Sequence, residues 1–286
     1  MRYCFIRGHA AQYPVTLLCH TLQVPRSGYY AWRRCPESAR VREDRRLLAQ
    51  IKEAHAISKK SYGSPRIHAA LRQLGETCGK HRIARVMRVH QIQAKHKRKY
   101  RATTDSRHNF PVAVNLLNRQ FTPAAINQAW VSDITYVPTS EGWLYLATVM
   151  DLASRRIVGW AMSERIDRTL VCDALTIAIQ RRKPAAGLIH HSDRGSQYAS
   201  TDYQNLLDRH GLIPSMSRKG NCWDNAPMES FFHSMKVEWL RDLTFRNRAE
   251  ARQAIFTFIE VWYNRQRLHS ALGYRSPDNY EQLIAA

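Results

Sequence analysis

Residues 129–163, AWVSDITYVPTSEGWLYLATVMDLASRRIVGWAMS, contain three consecutive runs typical of β-strands. The first and third runs alternate apolar and polar residues, and the second is long and apolar. Gly142 and the Ala153-Ser154 pair separate the runs, as expected for the turns of an antiparallel meander. The segment therefore predicts three antiparallel strands joined by short turns.

Helical and strand patterns alternate after this segment. A helix is predicted in TLVCDALTIAIQRR, where Val171, Ala174, Leu175 and Ala178 fall at i, i+3, i+4 and i+7. A short strand in GLIHHSD, a helix over TDYQNLLDRHG, a short strand in LIPSMS and a helix from about Pro227 to Leu240 follow. This order is that of an α/β, ribonuclease H-like core with a mixed five-stranded sheet and flanking helices.

Three acidic residues fall on separate elements of this predicted core. Asp133 lies in the first strand, Asp193 ends the fourth, and Glu229 lies on the last helix, with 35 residues between the second and third acids. Hard divalent cations prefer oxygen ligands and are held by a few carboxylates together with substrate phosphates. Two such ions can clamp the attacking and leaving oxygens of a phosphoryl transfer, so the three acids predict a two-ion site.

Two other acids compete for places in this site. Asp151 ends the second strand, where aspartate commonly starts a turn. Asp224 lies five residues before Glu229, where it would cap the helix or shape the loop. An exchange of roles between Asp224 and Glu229 stays open from the sequence.

The positive charge is concentrated in the N-terminal part of the chain. The formal net charge is +21; residues 1–120 hold 25 Lys and Arg against 6 acids, and residues 121–286 hold 19 against 17. A basic region beside a nearly neutral one with grouped carboxylates indicates that one part holds a polyanion and the other acts on it. A basic surface kept for solubility or for RNA binding is the alternative.

The basic part contains a candidate helix-turn-helix. Ser64-Pro65 predicts an N-cap and a first-position proline, Gly75 closes that helix, and KHRIARVMRVH after Gly79 predicts a second, basic helix. The second helix would enter a major groove of DNA. Any small helical bundle with basic exposed faces gives the same pattern, so groove binding remains one of two interpretations.

The domain organisation follows from these patterns. We expect a basic helical region over residues 1–94, with the helix-turn-helix-like segment at about 45–90. A basic linker is predicted over 95–123, either as a phosphate-tracking segment or as a disordered hinge, followed by the core and a C-terminal helical tail over 124–286. The six cysteines form no C-x-x-C, and the chain shows neither a signal peptide nor a span of ~20 apolar residues. These features predict a cytoplasmic protein.

Several motifs resemble those of one known family. WVSDITYV, HSDRGSQY and the interval to NCWDNAPMESFF are similar to the acidic triad of retroviral-integrase-related transposases. LQVPRSGYYAW, YGSPRIHAALR and YNRQRLHSALGYRSP match, in order, the second reading frame product of the IS3 family of bacterial insertion sequences. The resemblance extends over nearly the whole chain.

This resemblance implies a DDE-type transposase that cleaves element ends and transfers strands by attack of a DNA 3′-hydroxyl on phosphodiesters. It implies that Asp133 bridges two Mg²⁺ or Mn²⁺ ions, with Asp193 and Glu229 each completing one coordination shell. Three further side chains are candidates to support the metal ligands: His191, His233 and Asn225. The candidate DNA-contacting residues are Lys236, Arg82, Arg85, Arg88, Lys97, Arg98, Lys99 and Arg101.

The resemblance also implies partners. Double-stranded DNA would be bound as element terminal repeats and as target, in the bacterial nucleoid, by a homo-oligomer that is at least a dimer. The chain would act with the upstream-frame product or fused to it by ribosomal frameshifting. The alternative is a non-catalytic DNA-binding protein or regulator derived from a transposase, and the three acids at family spacing favour the enzyme.

Overall fold

A five-stranded mixed sheet lies at the centre of the computed structural model, which describes residues 1–35, 37–95, 111–218 and 222–285. Its strands are β1 (Ala129–Thr139), β2 (Gly142–Asp151), β3 (Ile157–Ser163), β4 (Ile189–Ser192) and β5 (Ile213–Met216). The spatial order is β3-β2-β1-β4-β5; β1, β2 and β3 pair antiparallel, whereas β4 is parallel to β1 and β5 is parallel to β4. The predicted meander and the predicted mixed sheet are confirmed.

Helices cover both faces of the sheet. The helices of the core are α7 (Arg168–Arg182), α8 (Thr201–Arg209), α9 (Ala226–Ser234), α10 (Arg248–Phe256) and α11 (Pro277–Ala285). On one face α7 and α8 bury Leu175 and Tyr203 against Trp130 of β1. On the other face α9 buries Met228 and Phe232 against Val131 of β1. Alternate residues of the central strand thus serve two separate cores, as strand geometry requires.

A close approach fixes α7 on its face of the sheet. A Cβ at Gly159 of β3 would lie 2.3 Å from the Ala174 carbonyl oxygen, so only glycine permits this packing. The helix begins where the Asp167 side chain accepts a hydrogen bond from the Leu170 amide, an N-cap that satisfies one of the free donors of the first turn.

Two helices of the core continue as π-helices. The helix predicted from about Pro227 to Leu240 is α-helical only in α9 and is π-helical over Met235–Leu240. Likewise α10 continues as a π-helix over Thr257–Tyr263. π-Helical turns are rare and often lie at functional sites. Residues after position 234 are therefore rotated relative to the positions expected for one continuous α-helix.

In the part of the N-terminal region that the structure describes, the chain forms six helices. They are α1 (Arg2–His9), α2 (Val15–Thr21), α3 (Arg26–Arg34), α4 (Ala39–Ile57), α5 (Ser64–Gln73) and α6 (Lys80–Val89). The turn between α5 and α6 contains Gly75 with φ +87°, which gives the helix-turn-helix outline expected from the sequence. The predicted N-cap is wrong by one residue: Gly63, in an extended conformation, precedes α5, and Ser64 is already helical.

The helical region packs directly on the core. The Leu268 amide donates a hydrogen bond of 2.7 Å to the Tyr62 hydroxyl, and Gln73 Nε2 donates to the Tyr274 carbonyl at 3.0 Å. Ile67 of α5 joins the same hydrophobic cluster as Val131. Among the described residues, no helix combines the length and the apolar character needed to cross a membrane.

Candidate active site

Sheet topology places Asp133 and Asp193 next to each other. β1 and β4 are parallel neighbours, with Val131 opposite His191, and each aspartate lies two residues beyond that pair. Asp133 Oδ1 accepts a hydrogen bond from the Ile134 amide at 2.8 Å. Asp193 Oδ1 accepts one from the Gly195 amide at 2.9 Å. Each carboxylate is therefore held by a backbone amide one or two residues further along the chain.

The third acid comes from the first turn of α9. Glu229 is half-buried, and its neighbour Met228 is fully buried in the cluster that contains Val131. The packing of this apolar side of α9 on the cluster sets the distance between the helix and β1. The Glu229 carboxylate is thereby brought within electrostatic reach of Asp133 in the central strand.

Both other acids affect the pKa of Asp133, as expected for three carboxylates that lie close together. Burial, then the Asp193 carboxylate and, less strongly, the Glu229 carboxylate hold the pKa of Asp133 well above its usual range; the Ile134 amide and Lys236 act in the opposite direction. Burial also raises the pKa of Glu229. Grouped, poorly solvated carboxylates repel one another, and this repulsion is what a bound cation relieves.

The acids do not form a closed cage for a single ion. Within the part of the chain that the structure describes, no three Asp, Glu, His or Cys side chains converge as one tightly ligated ion would need. Mg²⁺ is commonly held by only one or two carboxylates, with water and substrate phosphates completing the shell. The acids around Asp133 are therefore compatible with an open coordination site of this kind.

Buried polar atoms without hydrogen-bond partners surround these acids. Thr148, directly opposite Asp133 in the β1–β2 register, is fully buried and its Oγ1 has no partner. The hydroxyl of Tyr198, buried five residues after Asp193, also has none, and both aspartates contribute to raising its pKa after burial. Asn225 donates to the Ser132 carbonyl at 3.2 Å, whereas its Oδ1 is unpartnered. Buried polar groups are normally satisfied, so this set fits a site built around a polar ligand or a hydrated cation.

Sequence reasoning missed Thr148 and Tyr198, although a signal for each was present. Thr148 is the one hydroxyl in the otherwise apolar core of the second strand run, LATVM. Tyr198 belongs to the HSDRGSQY motif that contains Asp193. A polar residue inside a buried strand is informative because its hydroxyl must find a partner.

The two competing acids serve local structure. Asp151 is fully buried and accepts hydrogen bonds from the amides of Asn127 (2.6 Å) and Ser154 (2.9 Å), as expected for a turn-forming aspartate. Asp224 is also fully buried and is bonded to Arg218 and Arg119 at 2.8–3.0 Å. Contact with Arg218, above all, holds the pKa of Asp224 far below its usual range.

The candidate supporting residues occupy different surroundings. The ring nitrogens of His191 lie 2.8 Å from Ser215 Oγ and 3.1 Å from Ser217 Oγ, so both face the β5 side rather than a carboxylate. Burial lowers the pKa of His191 to about 4 and that of His190 to about 3, which keeps both rings neutral. Asn225 lies at the N-cap of α9, and His233 is half-buried on the same helix.

Lys236 lies beside the acids, one residue into the π-helical segment. Its Nζ is 5.0 Å from the centre of the Tyr136 ring, a cation–π geometry. Burial lowers the pKa of Lys236, and the Asp133 carboxylate partly offsets this change. The ammonium group is thus positioned between the acidic cluster and an aromatic side chain of β1.

The basic candidates divide into two groups. Arg82 Nε and an Arg85 terminal nitrogen bind the same acid, Asp44 of α4, at 2.8 and 2.6 Å, whereas Arg88 is exposed on α6. The remaining candidates lie outside the described residues: Lys97, Arg98, Lys99 and Arg101.

Three family models match this chain. Integrase core domain models match residues 123–222 and 210–277, which together cover the sheet, the three acids and the π-helical segments. An HTH-like domain model matches residues 42–100, which contain α5, its turn and α6. These matches indicate DNA binding, and an integrase core implies the use of a divalent metal ion.

Relatives and solved structures resemble the chain over much of its length. The Insertion element IS600 uncharacterized 31 kDa protein of Shigella sonnei is 49% identical over 272 residues, covering 94% of this chain and 100% of that protein. Transposase InsF for insertion sequence IS3A of Escherichia coli (strain K12) is 44% identical over 283 residues, covering 98% of each. A chain of the simian T-cell lymphotropic virus intasome, solved with PP2A regulatory subunit B56 gamma, has a TM-score of 0.47 and 15% identity, covering 81% of this chain and 73% of that one. The chain therefore belongs to the IS3 family of insertion-sequence transposases, DDE-type polynucleotidyl transferases that carry out DNA transposition.

Proposed function

We propose that Asp133, Asp193 and Glu229 are the catalytic acids of this transposase and that they hold two Mg²⁺ or Mn²⁺ ions. The observation that carries the proposal is the placement of the acids: Asp133 and Asp193 lie two residues beyond a paired position of the neighbouring strands β1 and β4, and Glu229 lies in the first turn of α9, which packs on β1. The raised pKa of Asp133, to which both other carboxylates contribute, supports this placement. Asp133, the acid that interacts with both others, is the one expected to contact both ions. Asp193 and Glu229 would each contact one.

Bound ions would neutralise the acidic cluster and polarise the attacking and leaving oxygens of the phosphodiester. The residues of the chain then have separate tasks. The three carboxylates would hold the ions, and Lys236 would donate a charge-assisted hydrogen bond to a phosphate of the DNA end. The neutral rings of His190 and His191 hold β4 against its neighbours. Water would attack the phosphodiester at the element end, and its P–O3′ bond would break to leave a 3′-hydroxyl on the element. That hydroxyl would then attack a target phosphodiester, forming a new P–O bond while the 3′-oxygen of the target strand leaves.

The DNA partners belong to the same proposal. The helix-turn-helix segment would bind the terminal repeats of the element, and Arg88 is its most accessible candidate contact. Pairing of two element ends requires at least a dimer, located at the nucleoid through DNA binding. We infer that the upstream-frame product, separate or fused by frameshifting, supplies further end recognition.

A cleavage assay with labelled terminal DNA tests the proposal. Asp133→Asn, Asp193→Asn and Glu229→Gln should each lower the cleavage rate about 100-fold or more, because metal-ion stabilisation of the reacting oxygens amounts to several kcal/mol. Asp173→Asn, at an exposed position of α7, is the matched control. Calorimetric titration of Mn²⁺ without DNA gives an independent measurement. A wild-type protein that binds terminal DNA but cleaves it no faster than Asp193→Asn would instead be a non-catalytic regulator.

A further inference from the structure

A separate cavity lies against α9. It has a volume of about 300 Å³, at the lower end of the range for small-ligand sites. Pro227, Ser230 and Ser234, spaced at i, i+3 and i+7 along α9, line it with one face of the helix. Glu229 is not among the described residues of its wall, so the cavity is distinct from the acidic cluster.

Arginines from three distant parts of the chain converge on this cavity. Arg66 comes from α5, Arg155 from the β2–β3 turn and Arg267 from the segment after the second π-helix. No Asp or Glu occurs among the described residues of the wall. Glu238 accepts two hydrogen bonds of 2.7 Å from Arg267 and lies 3.4 Å from Arg66. Glu238 therefore pairs with two of the three guanidinium groups, whereas the nearest acid to act on Arg155, Asp151, interacts with it only at longer range.

Arg155 is the arginine of this cavity that has a buried hydrogen-bond donor without a partner. One of its terminal nitrogens donates to the Phe121 carbonyl at 2.8 Å, while its buried Nε has no hydrogen-bond partner. No carboxylate within the described residues lies at ion-pair distance from it, and burial lowers its pKa. A guanidinium group in this state can donate hydrogen bonds to an oxyanion, and the negative charge of that oxyanion would stabilise the buried positive charge.

The helix itself adds to the positive potential. The first turn of α9, at Ala226 and Pro227, lies at the cavity wall, and its N-cap residue Asn225 makes no side-chain cap. Pro227 has no N–H group, so this turn contributes the positive end of the helix dipole rather than a row of amide donors. Exposed hydroxyl groups of Ser230 and Ser270 stand at the wall as additional donors.

We propose that this cavity binds a phosphate group, of a DNA backbone or of free inorganic phosphate, through Arg66, Arg155 and the first turn of α9. The bound phosphate would join the helix-turn-helix region, the β2–β3 turn and the C-terminal tail around the helix that carries Glu229. The site would thereby connect polyanion binding with the position of a catalytic acid, although its own chemistry needs no metal.

Two measurements on the full chain in EDTA test this proposal without involving the acidic cluster. In the first, inorganic phosphate replaces chloride at equal ionic strength, and the melting temperature is followed for the wild type and Arg155→Gln. In the second, duplex DNA affinity is measured from low to moderate salt. Loss of one phosphate contact should reduce the slope of log affinity against log salt by about 0.9 in Arg155→Gln.

Matched variants separate the site from general charge effects. Arg165→Gln removes one exposed positive charge outside the cavity and should leave the phosphate-dependent melting shift unchanged. Ser270→Asp places a negative charge at an exposed position of the wall, so it tests the site even if Arg155→Gln folds poorly. A reduced salt slope in the cavity variants assigns the site to DNA; a lost melting shift with an unchanged slope assigns it to free phosphate. If Arg155→Gln and Ser270→Asp both match Arg165→Gln in the two measurements, the proposal is wrong.

Discussion

The guanidinium group of Arg218 donates hydrogen bonds of 3.0 and 2.8 Å to the two oxygens of Asp224. The Arg218 amide, Arg119 and Asn115 add three more, at 2.9, 3.0 and 2.9 Å. A carboxylate offers about four lone-pair sites. Five donors leave no lone pair for a cation, which distinguishes Asp224 from the half-buried Glu229 five residues later.

Replacement of Asp224 by asparagine should destabilise the fold but spare metal binding. The amide removes the negative charge from between two arginines, so we expect the free energy of unfolding to fall by about 1–3 kcal/mol. Chemical denaturation measures this loss, with Asp173→Asn as the control. Retention of Mn²⁺ binding in Asp224→Asn, and its loss in Glu229→Gln, is the expected pattern. The reverse pattern would exchange the roles of the two acids.

Replacement of Asp133 by asparagine should stabilise the metal-free protein. The carboxylate is poorly solvated and faces two other acids, so its neutral isostere should raise the free energy of unfolding in EDTA by about 1–2 kcal/mol. Mg²⁺ should raise the melting temperature of the wild type, since it binds the folded state, and should not raise that of the variant. An equal response of both proteins to Mg²⁺ would contradict the assignment of Asp133 as a ligand.

The buried histidines predict how stability depends on pH. Folding lowers the pKa of His190 to about 3 and that of His191 to about 4, below the value of 6.5 for a solvated imidazole. The unfolded chain therefore binds more protons in this window, so stability is complete above pH 6.5 and is lost as the pH falls toward 4. For His191 the loss is about 3 kcal/mol. His191→Asn should reduce the slope of unfolding free energy against pH, between pH 4 and 6.5, by the amount that uptake of about one proton accounts for. An unchanged slope would exclude His191 as a source of this pH dependence.

Arginines of α6 should differ in their effects on DNA binding. Arg88 is exposed, whereas Arg82 and Arg85 share Asp44. We expect Arg88→Gln to lower duplex affinity and to reduce its salt slope by about 0.9, the value for one phosphate contact. Arg85→Gln should mainly lower stability, by up to about 1 kcal/mol as for other exposed ion pairs. Fluorescence anisotropy measures the DNA affinity of the two variants, and thermal denaturation measures their stability. Equal salt slopes would show that the ion pair with Asp44 does not keep Arg85 from contacting DNA.

The sequence predicts the sheet well because strand periodicity is a local property. The three strand runs around Asp133 are bounded by turn residues, and their alternation already assigns residues to two faces. The relationship between Asp133 and Asp193 is also accessible, because Asp133 lies within the first strand and Asp193 directly follows the fourth, and the fold makes these two strands neighbours. The mutual position of these two acids therefore follows from topology.

Contacts between residues that are far apart in the chain could not be predicted from local sequence patterns. Leu74 continues the helical spacing of the buried residues Ile67 and Leu71, but it is the C-cap residue of α5 and is 74% exposed. The ion pairs of Arg82 and Arg85 depend on α4, which lies some forty residues earlier in the chain. The π-helical segment Met235–Leu240 is likewise absent from the sequence prediction, because the apolar spacing that predicts a helix does not distinguish an α-helix from a π-helix.

The anchoring of Asp224 has a practical consequence for dividing this protein into fragments. Two of its donors, Asn115 and Arg119, precede the integrase core match, which begins at residue 123. Leu117 between them is buried, and its amide donates to Ser215 Oγ at 3.3 Å. A truncated catalytic domain that starts at residue 124 would therefore expose an apolar groove and leave a buried acid short of partners. Fragments for crystallisation should begin ahead of Asn115.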